Sequence, residues 1–319
     1  MTVPRVTMNG LQVSAQGLGC MGMSQSYGQV DWDGGTATIH RALDLGVTFL
    51  DTANVYGAGH NEVLVGRAIQ GRREEVQLAT KFGIDHTEGS DHRRFRGTAG
   101  YVRKACEDSL LRLGVEHIDL YYLHRPPEDA EIEETVGAMA ELVAAGKVGH
   151  LGLSEVDSDQ LRRAYAVHPI TAVQSEYSLW TRDPETTVLD ALRELNVALV
   201  PFSPLGRGFL TGTLDRSSFG PGDFRSRNPR FVGEAADANQ AIVAAVAAIA
   251  ERVGAAPAQV ALAWVHAQNG RLGVPVVPIP GTKRVSWLEQ NVGALDVTLT
   301  GDDLRELDAL ADSVVGARY

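Results

Sequence analysis

The feature that most constrains this chain is an alternation. From residue 16 almost to the end, short apolar runs of strand length recur between longer segments whose apolar residues follow helical spacing. The strand-like runs are 16–20, 48–51, 76–80, 118–123, 150–153, 172–174, 198–201 and 276–278. Helical segments follow at 35–45, 61–69, 99–113, 132–145, 157–167 and 187–195, then a long loop with helices, then 285–292. A last helix over 302–311 has Thr300 as its cap. Eight βα units with short links and no break in composition predict an α/β fold, a (β/α)8 TIM barrel over residues 1–319 as one domain. A doubly wound open sheet is the alternative, and the two differ in whether the eighth strand pairs with the first. Asn9-Gly10, between Val6-Thr7-Met8 and Leu11-Gln12-Val13, predicts a β-hairpin at the barrel floor.

Composition narrows the function. The 319 residues are 44% hydrophobic and 22% charged, enough to bury a large core. A formal net charge of −11 argues against nucleic acid and anionic membrane as partners, since no basic stripe is there to neutralise phosphates. Cys20 and Cys106 are too few and too far apart for a disulfide framework or a zinc site. The N-terminus lacks a signal-peptide core, and the most apolar helix, 241–250, is too short to span a bilayer. The expected setting is the cytoplasm.

In a barrel, reactive groups project from the C-terminal ends of the strands. Those ends carry Asp51 with Tyr56 in its loop, then Lys81, His124, Ser154, Gln174 and Phe202-Ser203. Singly, each has an ordinary structural use: a strand-end Asp forms turns, a Lys is solvated, a His before Pro126 bonds a carbonyl, a Tyr lines a rim. Together they bring acid, phenol, amine and imidazole to one rim. A free phenol has a pKa of about 10 and is a poor acid at neutral pH. A neighbouring ammonium favours the phenolate, a carboxylate keeps that ammonium charged, and an imidazole across the pocket binds the same oxygen. Such a site suits carbonyl reduction, and because no side chain donates hydride, a cofactor is required.

The residues carry a resemblance. Gly17-Leu18-Gly19-Cys20-Met21-Gly22-Met23-Ser24, Phe49-Leu50-Asp51-Thr52-Ala53-Asn54-Val55-Tyr56-Gly57, Ala79-Thr80-Lys81, Asp119-Leu120-Tyr121-Tyr122-Leu123-His124 and Gly152-Leu153-Ser154-Glu155 resemble, in order, the motifs of the aldo-keto reductases. Val173-Gln174-Ser175-Glu176-Tyr177, Phe202-Ser203-Pro204-Leu205-Gly206-Arg207-Gly208, Ile279-Pro280-Gly281-Thr282 and Gln290-Asn291 continue it over nearly the whole chain. The resemblance implies a barrel that binds NADPH, with NADH held more weakly, along its C-terminal rim. It implies Tyr56 as the general acid, Lys81 as the group that lowers its pKa, Asp51 as the partner of Lys81, and His124 as the group that orients the carbonyl. Ser154 and Gln174 would hold the carboxamide of the nicotinamide, and Phe202, where the family commonly has Tyr, would stack on its ring. Glu155 stands where the family often has Asn. Gly22, Met23 and Asp51 would border the cofactor. Ser203, Pro204, Leu205, Gly206, Arg207, Gly208 and Leu210 would follow its pyrophosphate, where glycines allow close approach. Gly281, Thr282, Lys283 and Arg284 would meet the 2′-phosphate, and Gln290 and Asn291 the adenine.

Gly17-x-Gly19-x-x-Gly22 matches the dinucleotide fingerprint in letters only, because the next helix starts about a dozen residues late. His86 and His92 lack companion ligands, so no metal is expected. The expected partner is a small aldehyde or ketone with an apolar portion, met by Met23, Tyr27, Trp32, Arg125, Tyr177, Trp180 and Phe224; Arg125 could instead meet a carboxylate or phosphate. The oligomeric state stays open. Two rival readings are a non-catalytic NADPH-binding module resembling channel β-subunits, and a barrel isomerase or metal-dependent hydrolase.

Overall fold

The computed structural model describes residues 3–25, 31–86, 93–215, 217, 219–220 and 223–318. A hairpin of β1 (Arg5–Met8) and β2 (Leu11–Ser14) opens the chain. Asn9 and Gly10 both take positive φ, 40° and 94°, as a tight hairpin turn requires. The main sheet is made of β3 (Leu18–Gly19), β4 (Phe49–Asp51), β5 (Gln77–Phe82), β8 (Ile118–Leu123), β9 (Val148–Ser154), β10 (Ala172–Glu176) and β11 (Ala198–Phe202), adjacent in that order. All neighbours are parallel, because each crosses over through a helix. A second hairpin, β6 (Ile84–His86) and β7 (Arg93–Phe95), is inserted after β5 and has no counterpart in the sequence reading.

The barrel closes through residues 274–281, Val-Pro-Val-Val-Pro-Ile-Pro-Gly. On one side Leu199 N donates to Pro275 O (2.9 Å), Val277 N to Leu199 O (3.0 Å) and Ile279 N to Pro201 O (3.0 Å). On the other, Gly17 N donates to Pro278 O (2.9 Å) and Gly19 N to Pro280 O (3.2 Å). Three prolines remove N–H donors, so the ladder is sparse and only the single bridges Leu199–Val276 and Gly19–Gly281 mark it as sheet. The eighth strand therefore pairs with the first, and the open sheet is excluded.

Helices α1 (Trp32–Asp44), α2 (His60–Ala68), α3 (Ala99–Leu113), α4 (Ile132–Ala144), α5 (Ser158–Val167), α6 (Pro184–Thr187) and α7 (Leu189–Leu195) cover the outside. They are followed by α8 (Gly233–Ala238), α9 (Gln240–Val253), α10 (Pro257–Arg271), α11 (Val285–Val292) and α12 (Gly301–Asp308). Helix α1 starts at Trp32, earlier than its apolar pattern suggests, because Asp31 caps it through Gly34 N (3.0 Å). No single helix among the described residues is long and apolar enough to cross a membrane.

Apolar side chains form two layers. Between barrel and helices lies the larger core. Inside the barrel, Met8, Leu11 and Val13 of the first hairpin pack against Phe49, Leu120, Val200 and Val277, so the hairpin shuts the floor. The inward residues follow the two-residue period of a strand: Ala79, then Leu120 and Tyr122, Ala172, and Ala198 and Val200. Continued upward, the same parity delivers Lys81, His124, Gln174 and Phe202 to the C-terminal mouth.

The seam between the first and eighth strands has no room for a side chain: a Cβ on Gly19 would lie 2.9 Å from Ile279 O. Gly19→Ala is expected to destabilise the fold by about 1–3 kcal/mol through overpacking, read as a lower urea midpoint with unchanged slope.

Candidate active site

Asp51 closes β4, and Lys81 sits two residues beyond inward-facing Ala79 in the adjacent β5. Both are buried, Lys81 completely. The ammonium uses all three donors, on Asp51 Oδ1 (2.5 Å), Thr52 O (2.8 Å) and Tyr56 Oη (3.2 Å). Gln174 Nε2 donates to the other oxygen of Asp51 (2.8 Å), so the carboxylate is held from both sides. His124 follows β8 and is nearly buried. Its ring stands edge-on to Tyr56, with centroids 5.9 Å apart. His124 N donates to Phe82 O (2.8 Å), which fixes the imidazole beside β5.

Burial dominates the electrostatics. It raises Asp51, against the charge and hydrogen bond of Lys81 and the hydrogen bond of Gln174. For Lys81, burial alone would lower the pKa, but the carboxylate and phenol beside it outweigh that and hold it above its ordinary value. For Tyr56, burial raises the phenol more than Lys81 and Arg125 lower it. The expected depression of the phenol is thus only a partial effect: the ammonium pulls it down, and desolvation leaves it above its ordinary value. The phenol is a protonated donor at neutral pH whose conjugate base would form beside a buried cation.

The remaining rim residues occupy four strand ends. Gly22 and Met23 lie in a single turn of 3-10 helix, Met21–Met23, directly after β3, and the Met23 side chain is fully buried in the core toward α1, away from the substrate position expected for it. Asn61 ties down this turn by donating to Cys20 O (2.8 Å) and Ser24 Oγ (2.7 Å), while Thr52 Oγ1 holds the Asn61 carbonyl (2.6 Å). Ser154 is buried at the end of β9, and Phe202 ends β11 against the barrel interior. Beyond it the backbone is left-handed at Ser203 (φ 50°), Gly206 (56°), Arg207 (55°) and Gly208 (94°). Gly208 N and Leu210 N both donate to Leu205 O (3.0 and 3.2 Å), which curls this segment, with Pro204, just beyond the end of β11. Gly281 bridges Gly19, and Thr282, Lys283 and Arg284 lead into α11 with Thr282 Oγ1 accepting from Arg284 N (3.1 Å). Asn291 is buried and Gln290 exposed on that helix.

The proposed substrate pocket divides. Arg125 is at the mouth, donating to His124 O (2.6 Å) and Ser154 Oγ (3.3 Å). Tyr177 is not: with 172, 174 and 176 on the inward parity, residue 177 points outward. It is fully buried against Trp264 of α10, and its hydroxyl donates to Glu185 (2.6 Å). Trp180 is buried too, stacked on Phe209 at 4.7 Å, and underlies the left-handed segment, where a Cβ on Gly206 would come within 2.6 Å of Trp180 Nε1. Trp32 packs on His60 (4.3 Å) and under Arg67, between α1 and α2. Phe224 lies beneath the Arg207 guanidinium (4.8 Å). Tyr27 falls outside the described residues.

The sequence reading missed an ionic cluster. Buried Glu176 accepts from Arg207 (2.8 Å) and Arg318 (3.2 Å), and Arg318 also pairs with Glu155. Glu155 thus pairs with the C-terminal tail, and its Oε1 accepts from Glu176 N (2.9 Å). No local signal marks Arg318, which is 142 residues from Glu176.

A closed (β/α)8 barrel with acid, phenol, ammonium and imidazole at its C-terminal mouth defines a class of carbonyl-handling oxidoreductases. Residues 16–312 match the model of the aldo/keto reductase family, and the chain belongs to that family. A probable aldo-keto reductase 1 of Glycine max is 47% identical over 314 residues, covering 97% of this chain and 89% of that protein. The glycerol dehydrogenase AKR11B4 from Gluconobacter oxydans superposes with a TM-score of 0.86 at 29% identity, over 97% of this chain and 94% of that one. An aldo/keto reductase from Klebsiella pneumoniae, solved with NADP and acetate, gives 0.73 at 27% identity, over 98% and 96%. The protein is an NAD(P)H-dependent oxidoreductase.

Removing one partner of the buried pair strands the other. Asp51→Ala is expected to cost about 3–5 kcal/mol in urea unfolding near neutral pH. Without the carboxylate, burial puts the folded-state pKa of Lys81 below its unfolded value, so the deficit shrinks as pH rises and the amine loses its proton.

Proposed function

We propose that the protein reduces an aldehyde or ketone to the alcohol, reversibly, with Tyr56 as the proton donor and NADPH as the preferred cofactor. The observation that carries this reading is the placement of Lys81 Nζ, which touches the Asp51 carboxylate and the Tyr56 hydroxyl at once. The phenol gives its proton to the carbonyl oxygen, and the phenolate left behind faces an ammonium already held in place. That preorganised charge lowers the cost of the transfer without reorganisation. His124, edge-on to the phenol, would hold the same oxygen. When bound, NADPH supplies the hydride that the carbonyl carbon receives. The phenol regains its proton from solvent.

Several features support a fit to that cofactor. Two non-glycine residues, Ser203 and Arg207, sit in the left-handed region, which costs of order 1–3 kcal/mol each and persists where a site requires the shape. They curve the segment 203–210 so that backbone amides can face an anion. Burial, and then repulsion from Arg284, lowers Lys283, so two cations lie together at the start of α11. A 2′-phosphate would find cationic hydrogen-bond donors there. Ser154 and Gln174 would receive the nicotinamide amide, and Phe202 its ring.

The reading is tested by stopped-flow oxidation of bound NADPH with a simple aldehyde. Tyr56→Phe should reduce turnover by at least 10²-fold, within the range for loss of a general acid, and leave NADPH affinity within a few-fold; a variant that keeps most of its turnover would sink the assignment. Because reduction needs the protonated phenol, the rate should hold through neutral pH and fall only as pH rises through the phenol's pKa. Lys283→Ala with Arg284→Ala should weaken NADPH about tenfold or more and leave NADH nearly unchanged, which fluorescence titration would read.

A further inference from the structure

Among the described residues, Arg125 is a cation at the mouth to which the proton relay and the cofactor reading give no direct contact with a reacting group. Arg125 is partly buried, directly after His124, and spans the ends of β8 and β9 through His124 O and Ser154 Oγ. Both bonds come from Nη1. Among the described residues no carboxylate lies within ion-pair range of its guanidinium. The acids at neighbouring strand ends are committed elsewhere: Asp51 to Lys81, Glu176 to Arg207 and Arg318, and Glu155 to Arg318. A partly desolvated guanidinium without a counter-charge is costly, and its planar fork suits a carboxylate.

The position narrows what the missing anion can be. The segments fitted to cofactor phosphates, 203–210 and 282–284, belong to the seventh and eighth strand ends. Arg125 belongs to the fourth, beside the imidazole that faces the phenol. Its charge also reaches Tyr56, where it acts with Lys81 in favour of the phenolate. The group that meets Arg125 therefore arrives with the substrate, close to the carbonyl.

We infer that the substrate is a short oxo acid whose carboxylate pairs with Arg125 while its carbonyl lies between Tyr56 and His124. The inference rests on the carbonyl-reduction reading and specifies its substrate class. In the reaction the carbonyl carbon gains the cofactor's hydride and the oxygen gains the Tyr56 proton. The product is a hydroxy acid with its carboxylate unchanged, and NADPH is oxidised to NADP⁺. A single guanidinium matches one negative charge, which favours a carboxylate over a phosphate.

The decisive comparison is 4-oxobutanoate against its methyl ester, which keeps the aldehyde and removes the charge. In the wild-type enzyme kcat/KM should favour the acid by about tenfold or more, the worth of one charge-assisted hydrogen bond. The preference should shrink at high salt. Arg125→Met should bring the ratio close to one, and Arg125→Lys should restore part of it. Equal use of acid and ester by the wild type, or a preference for glyceraldehyde 3-phosphate over the oxo acid, overturns the inference but leaves carbonyl reduction standing. If neither aldehyde oxidises NADPH, the reduction reading falls and the inference with it. Saturation-transfer NMR on the cofactor-free protein gives a readout independent of turnover: butanoate should bind and butanamide should not, and the difference should vanish in Arg125→Met. Binding of both alike would count against the proposal.

Discussion

The active site depends on one buried ion pair. Asp51 and Lys81 meet at 2.5 Å with almost no solvent on either. Taking two charges out of water is expensive, and Coulomb attraction offsets the cost only when geometry and accessory hydrogen bonds are good. Here Thr52 O and Tyr56 Oη complete the donors of Lys81, and Gln174 holds the second oxygen of Asp51. Replacing the pair by apolar residues would give an ordinary barrel interior. What the pair provides instead is a fixed positive charge beside a phenol, at a place water does not screen.

That charge can be fixed because the barrel beneath it is solid. Strand parity stacks apolar residues inward from the floor, where the first hairpin shuts the bottom with Met8, Leu11 and Val13, and the same parity brings polar Asp51, Lys81, His124 and Gln174 to the mouth beside Phe202. The proline-rich eighth strand completes the wall with few hydrogen bonds, and glycines at 17, 19 and 281 let it approach the first strand closely. This contact sets the turn at Gly22–Met23 beside the cationic entry to α11. The left-handed segment 203–210, resting on Trp180 and bound through Arg207 to Glu176, completes the rim.

Much of this was legible beforehand, and the failures have physical causes. Asp51, Tyr56, Lys81 and His124 were readable because strand ends fall at fixed places in a βα repeat, and the structure brings all four together. Tyr177 was misplaced because a motif lists neighbours without their parity: one residue past inward-facing Glu176, its ring belongs to the helix layer. Trp180 lies beneath segment 203–210 against Phe209, and Trp32 packs on His60 between α1 and α2, because loop aromatics near a site are as useful for shoring up its segments as for lining it. The elevated phenol of Tyr56 was missed because proximity to a cation can be read from motifs, whereas the depth of burial cannot.

The sequence by itself determined the alternation of strands and helices, the chemistry available at each strand end, and the family to which that order of motifs belongs. These are local properties, set by periodicity, turn residues and spacing along the chain. Tertiary structure alone decided that the eighth strand meets the first, that burial outweighs Lys81 at the phenol, and that Arg318 reaches back to Glu155 and Glu176. It also decided that Arg125 remains without a carboxylate among the described residues. Each of these depends on which charges and backbones become neighbours across long stretches of chain, and on how much water is left between them.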